Sequence, residues 1–358
     1  NDPVYNLPEG RVNHSMVSYN GYLYVIGGQD PSGSRESTVY IAKLGANGEP
    51  QLWHPTDDNK NNWVYWYQDS GLSGGVAKSY LSAVVYNNSM YIVGGQTNAS
   101  PGGVNTVEKA DILPNGKLSS WTTTGMQSLP AGAGRHMGDV VVYNDTLYSI
   151  GGFEGASNSS ANLRDTVYYS KLNQDGTMNA WQTTSNITTA RANFGGKFSY
   201  IWGAYIYMGG GCSAVNASGN CTTFSSDMQI ASINADGSLG TWRSIGNLDN
   251  TRVGYTFIGW QGGLYRLGGC ISVSPTSGHC LDALSAVDYG VINPAGEVST
   301  VSITDEVGEG LCVGGTPENC DLPPLGDAAG EGGGMLSSTV ILNGYLYVIG
   351  GCTNYACS

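Results

Sequence analysis

Five of the 15 basic residues of this chain, Arg11, Lys78, Arg135, Arg191 and Arg252, recur at one position of a long repeat. Gathered in a ring, such cations would hold a carboxylate, a sulfate or an acidic sugar through charge-assisted hydrogen bonds. The alternative is that each ties neighbouring units together through carbonyls or acids. His14 and His136 follow two of these cations, where a base or metal-ligand role competes with simple polar packing. A second candidate is the run WVYWY, with Trp63, Tyr65, Trp66 and Tyr67. Exposed, these rings would stack on sugars or anchor a protein partner; otherwise the run is a displaced strand with Trp66 in the core. The stretch 305–333 carries seven acids and no base, which makes calcium conceivable. It lacks DxDxDG spacing, so a solvated loop is the plainer reading and no cofactor is expected. Gly71 to Gly75 fits GxSxG without a following helix, and no phosphate loop or dinucleotide fingerprint occurs. Catalytic residues are therefore not assigned.

All eight cysteines follow residue 210, and Cys212, Cys270 and Cys352 each directly follow a Gly-Gly doublet. Equivalent positions with near partners suggest staples Cys212–Cys221, Cys270–Cys280 and Cys352–Cys357, with a separate clip Cys312–Cys320. No CxxC supports zinc. Disulfides imply an oxidising, extracellular or cell-surface location. Sequons at Asn13, Asn87, Asn98, Asn144, Asn158, Asn186, Asn216 and Asn220 permit glycosylation without demonstrating it. The net charge of −13 disfavours nucleic acid and anionic membranes as partners. No apolar run is long enough to cross a bilayer.

What must position these residues is a repeat. Six segments read aromatic–x–apolar–Gly–Gly, ending at Gly28, Gly95, Gly152, Gly211, Gly269 and Gly351, with tyrosine at 24, 91, 148, 207, 265 and 347. An apolar run and a tight turn precede each doublet, as in MVSYNGYLYVIGG. A third run follows, then a fourth after turns such as NGEPQLW and DGTMNAW, with Trp53, Trp121, Trp181, Trp242 and Val301 at one position. Four antiparallel strands per repeat follow from these turns. Such sheets bury both faces only by packing on one another, and radial closure makes a β-propeller. Glycine supplies 54 of 358 residues, which fits strands and turns rather than helices.

Gly-Gly followed by spaced Tyr and Trp resembles the kelch repeat over nearly the whole chain. The resemblance implies an all-β, six-bladed kelch-type propeller of four-stranded antiparallel blades in one domain, 1–358. Repeats are expected at about 11–77, 78–134, 135–190, 191–251, 252–304 and 334–358 with 1–10, and insertions at 54–77 and 305–333. The last blade would be closed in part by the N-terminal segment, and the sequence reads as a piece of a longer chain. Two enzyme classes are similar in fold: copper-radical oxidases of the galactose oxidase type, disfavoured by scarce histidine, and sialic acid mutarotases. The expected function is extracellular or surface-displayed binding or adhesion, recognising a glycan or protein through the loop face. Alternatives are a structural subunit of an extracellular assembly, self-associating through its incomplete sixth blade, and a mutarotase-like enzyme.

Overall fold

Each repeat opens on two strands joined by a turn that only asparagine, glycine and a few polar residues enter easily. In the first, Ser15–Tyr19 pairs with Tyr22–Ile26 across Asn20-Gly21, which sit at φ 52° and 82°. Positive φ at both central residues gives the turn whose twist matches the strands it joins. The computed structural model describes residues 5–55, 63–99, 102–155, 157–248, 251–276, 280–283, 287–301 and 338–351.

Five blades result, forming an all-β propeller with no α-helix among the described residues. Their inner strands are Ser15–Tyr19, Ser82–Tyr86, Asp139–Tyr143, Ser199–Trp202 and Thr256–Trp260. Outside them run Tyr22–Ile26, Ser89–Val93, Thr146–Ile150, Tyr205–Gly209 and Gly263–Leu267. The third strands are Val39–Lys43, Val107–Asp111, Val167–Lys171, Asp227–Ser232 and Val287–Ile292. All pairings within the blades are antiparallel. The second strands of blades 1, 2, 3 and 5 are buried along their whole length. A blade packs on neighbours through both faces, so alternate residues of such a strand point into two different seams. One seam holds Tyr24, Ile41, Ala83 and Ile92 from blades 1 and 2, and another Tyr148, Ile206, Met208 and Met228 from blades 3 and 4.

The fourth strands vary more than the sequence suggests. Blades 3, 4 and 5 add Gln182–Thr183, Arg243–Asn247 and Val298–Val301. Blade 2 has three strands, with Thr122 contributing a single bridge to Lys109. In blade 1 the fourth strand is Trp66–Asp69, paired on Val39–Ala42, while Trp53 bridges Val64. The expected insertion 54–77 thus contains a blade strand, displaced along the chain.

A hairpin of Ser338–Leu342 and Tyr345–Ile349 packs between blade 5 and blade 1. Ser338 Oγ donates to the His14 carbonyl (2.8 Å), and Gly351 N–H to the Arg11 carbonyl (2.9 Å). Tyr347 OH reaches the Gly48 carbonyl at 2.8 Å. Among the described residues, positions 5–10 add no strand to this hairpin. Instead the Tyr5 carbonyl accepts Trp66 Nε1–H (2.9 Å), and Leu7 packs in the seam beside Trp66, Val340 and Tyr347.

The Gly-Gly doublets explain themselves at the junctions. Gly27 and Gly28 have φ 59° and 95°, and a Cβ on Gly27 would lie 2.6 Å from the Lys78 carbonyl oxygen of the next blade. That carbonyl accepts Gly28 N–H at 2.8 Å. Gly95 to Arg135 and Gly152 to Arg191 repeat the bond, and Gly351 to Arg11 carries it onto the hairpin. Glycine is required twice over, for its conformation and for the closeness of the neighbouring backbone.

Candidate functional site

The recurrent cations lie inside the protein. Arg11, Lys78, Arg135, Arg191 and Arg252 are each at most 3% exposed. Burial of a charge is costly unless it is paired, and each of these is. Arg11 contacts Glu9 (2.6 Å), Lys78 pairs with Glu108, and Arg135 with Glu154. Arg191 meets Asp227 at 2.7 Å, and Arg252 meets Asp288 at 2.9 Å. Arg11, Arg191 and Arg252 also donate to the carbonyl of the first doublet glycine, Gly27, Gly210 and Gly268. The ring is therefore not an open anion-binding surface; each cation fastens the start of an inner strand to its own blade. Burial would raise the Asp227 carboxyl, but hydrogen bonds from Arg191 and Ser225, with the Arg191 charge and Gln229, hold it down to about 2. Burial, then the charge of Arg266, pulls Arg252 down to about 10.

The histidines are equally internal. Desolvation, with Arg11 nearby, lowers His14 to about 3. His136 is fully buried, stacks on Phe153 at 5.5 Å and pairs through Nε2 with Asn158 Oδ1 at 2.7 Å. Burial lowers it to about 4 against that bond. Both rings are thus neutral at physiological pH and belong to the packing. Among the described residues, one trio with metal-ligand spacing occurs, Glu9, Asp30 and Glu36. Arg11 already supplies counter-charge to Glu9 and Glu36 there. The acidic stretch considered for calcium lies outside the described residues.

The WVYWY run divides. Trp66 is buried at 8% exposure, so it is a core residue of the displaced strand. Tyr65 packs edge-on against Tyr5 (5.1 Å), and Tyr67 meets Trp53 edge-on and lies under Lys117. Trp63 alone of the four is largely exposed, at 58%. Ser73 of the GxSxG match sits in a short 3-10 turn, its N–H held by Glu108, with no helix to support a nucleophile.

The Cys212–Cys221 and Cys270–Cys280 bonds form as expected, while Cys312–Cys320 and Cys352–Cys357 fall outside the described residues. Each formed bond closes a two-stranded loop, Cys212–Val215 with Cys221–Phe224 and Cys270–Val273 with Cys280–Ala283. The loops brace one another: Asn216 and Asn220 both donate to the Pro275 carbonyl, at 2.6 and 3.2 Å. On the other side, Ser160 Oγ of blade 3 exchanges hydrogen bonds with Val215 N–H and C=O (3.0 and 3.1 Å). Loops of three consecutive blades are thereby joined into one platform on the face where the inner strands begin. The segment 212–224 contains no charged residue, and Leu281 stands 53% exposed beside it.

Sequon placement follows the same geometry. Asn13 is 4% exposed, adopts φ 56° and donates to Gln29 Oε1, so it cannot carry a glycan. Asn216 and Asn220 are half-buried with their amides engaged, and Asn158 is half-buried against His136. Asn87, Asn98, Asn144 and Asn186 are exposed.

With tyrosine, doublet and buried cation placed in each blade, the comparisons become interpretable. A family model of the kelch motif matches residues 10–41, which span the basic residue, the inner hairpin, the doublet and the start of the third strand of blade 1. The first repeat matches the kelch motif. The Kelch repeat protein M-T8 of Myxoma virus (strain Lausanne) is 25% identical over 206 residues, 58% of this chain and 33% of M-T8. Beta-scruin of Limulus polyphemus is 24% identical over 149 residues, 42% of this chain and 14% of Beta-scruin. The matched region thus covers a third or less of either relative. The acids on third strands, buried Glu108 and half-buried Asp227 and Asp288, are the partners that spacing alone did not single out. Their signal is an acid near the start of the third run, as in TVEKAD, SDMQIA and AVDYGV.

Proposed function

We propose that this chain is an extracellular kelch propeller that binds another protein on its stapled loop platform. The observation that carries this is the bracing of the two disulfide loops by each other and by blade 3. Three sets of loops that would otherwise move separately are pre-ordered, which lowers the cost of forming an interface. Uncharged Asn, Ser and Thr around an exposed Leu281 suit a neutral protein surface. The disulfides favour an oxidising compartment. The kelch-repeat relatives are consistent with a protein-binding propeller. We read the hairpin 338–349 as the inner half of a sixth blade, because Gly351 makes the junction bond of Gly28, Gly95 and Gly152, and Tyr347 the carbonyl bond of Tyr24, Tyr148 and Tyr207.

The test is binding of purified, fluorescently labelled protein to living surfaces from its native setting. Leu281→Asp and Thr223→Arg on the platform should abolish binding, and Trp202→Asp on the opposite face should leave it unchanged. Protease treatment of the target surface should remove the signal. Loss on glycosidase treatment alone would transfer the reading to a glycan, and indifference to both platform variants would overturn the site.

A further inference from the structure

Blade 4 departs from the others at one point. From the basic residue to the first doublet glycine is 16 positions in blades 1, 2, 3 and 5, for example Arg11 to Gly27, but 19 in blade 4, Arg191 to Gly210. The extra residues, around Phe194–Lys197, include Gly195 and Gly196 at φ 121° and 69°. A Cβ on Gly196 would overlap the Tyr255 carbonyl oxygen. The insertion is clamped from both sides: the Lys197 carbonyl accepts Phe257 N–H of blade 5 (2.7 Å). Phe198 and Ser199 N–H both donate to Asp139 Oδ2 of blade 3, at 3.1 and 2.9 Å.

This clamped loop delivers Lys197 into the central channel. Its Nζ donates to the Ala83 carbonyl of blade 2 at 3.4 Å, although blades 2 and 4 are not neighbours. The side chain divides the channel. On one side lies a polar cavity of about 20 Å³, lined by Asn13, Ser15, Asn193 and Thr256 among others, room for a water molecule. On the other is a space of about 380 Å³, lined chiefly by Val84, Val141, Ile201, Phe257, Ile258 and Val340. That volume is within the range of small-molecule sites, and its lining is mostly apolar. It lies on the side of the inner turns, where the inner strands end on Tyr19, Tyr86, Tyr143, Trp202 and Trp260.

Lys197 is the one charged residue lining the larger space. An ammonium has three donors, and one is spent on Ala83. Among the described residues no carboxylate lies within ion-pair distance, in contrast to the five buried cations at the inner-strand starts. The buried Asp139 of blade 3 holds the N–H groups of Val140, Phe198 and Ser199 and the hydroxyls of Ser82 and Ser199, and it feels the Lys197 charge without an ion-pair contact. Half-buried at the edge of an apolar space, the Lys197 ammonium has donors beyond the one spent on Ala83, and an anionic head group with an apolar body would use them.

We propose that the channel binds an amphipathic monocarboxylate, its carboxylate on Lys197 Nζ and its hydrocarbon body along the inner strands. This site faces away from the loop platform and stands whether or not the platform binds protein. The test is calorimetric titration of the whole chain with octanoate and with octanol. Octanoate should bind one to one, Lys197→Met should weaken it at least tenfold, and Lys197→Arg should hold it within a few-fold. Octanol should not distinguish the three proteins. Methyl NMR should place octanoate against Val84 and Val141, and the same spectra report whether each variant is folded. Octanoate that fails to saturate the wild-type protein, binds Lys197→Met equally, or shifts methyls elsewhere overturns the proposal.

Discussion

Replacing Arg191 with methionine isolates what the buried cations do. Arg191 is fully buried and donates to Gly210 O (3.0 Å), Thr189 O (3.2 Å) and both oxygens of Asp227. Methionine keeps most of the apolar stem and removes every donor. Removing one partner of a buried pair costs about 3–5 kcal/mol, because the other charge is stranded. Part of that cost is tied to the ionisation of Asp227. Its folded pKa is depressed from 3.8 to about 2, so its contribution is complete above pH 4 and disappears as pH falls through 2. At about 1.4 kcal/mol per pH unit, the displacement amounts to roughly 2.5 kcal/mol. In Arg191→Met the burial that raises the carboxyl is no longer outweighed, and acidification ceases to be harmful there. Urea unfolding at pH 6 and at pH 2 should therefore show a gap between the two proteins that narrows by at least about 2 kcal/mol. A gap of the same size at both pH values would refute the assignment of Arg191 to Asp227.

Gly27→Ala, which places a Cβ 2.6 Å from the Lys78 carbonyl at positive φ, should cost more than about 3 kcal/mol. Gly33→Ala, equally left-handed but with nothing nearby, should cost about 1 kcal/mol by the same unfolding assay. The double variant Cys212→Ser, Cys221→Ser opens a loop of about ten residues and should lose about 2.5–3 kcal/mol on the chain-entropy account, read as a lower urea midpoint. His14 and His136, lowered to about 3 and 4, should show no imidazole titration by NMR between pH 5 and 8. Because the unfolded chain binds those protons from about pH 6.5 downward, stability should decline as pH falls from 6.5 toward 4, measured as the urea midpoint.

The blades and two staples could be read from sequence because they depend on local signals. Asn-Gly turns, Gly-Gly doublets and five-residue spacing to tryptophan are all chemistry within one repeat. The roles of the cations could not be read that way. Arg191 and Asp227 are 36 residues apart and meet only when a third strand folds back beside the inner one. The aromatic run misled for a related reason: an insertion before Trp66 displaced a regular strand, so a core residue stood in a surface-like stretch. Lys197 was invisible for a third reason. The three additional residues of blade 4 lie between Arg191 and its inner strand, a stretch that none of the repeat motifs covers.

The bond that joins one blade to the next runs from a glycine N–H to a carbonyl, with no side chain on either side. A junction made of main chain constrains the glycines that form it and leaves the loop residues beyond them free to vary. Blades can therefore diverge in their loops, gaining a disulfide in one and a lysine-bearing insertion in another, without their neighbours having to change in step. The ring works as a set of interchangeable sockets. Transplanting the stapled loop of blade 4 onto blade 2 should leave the blades packed as they are.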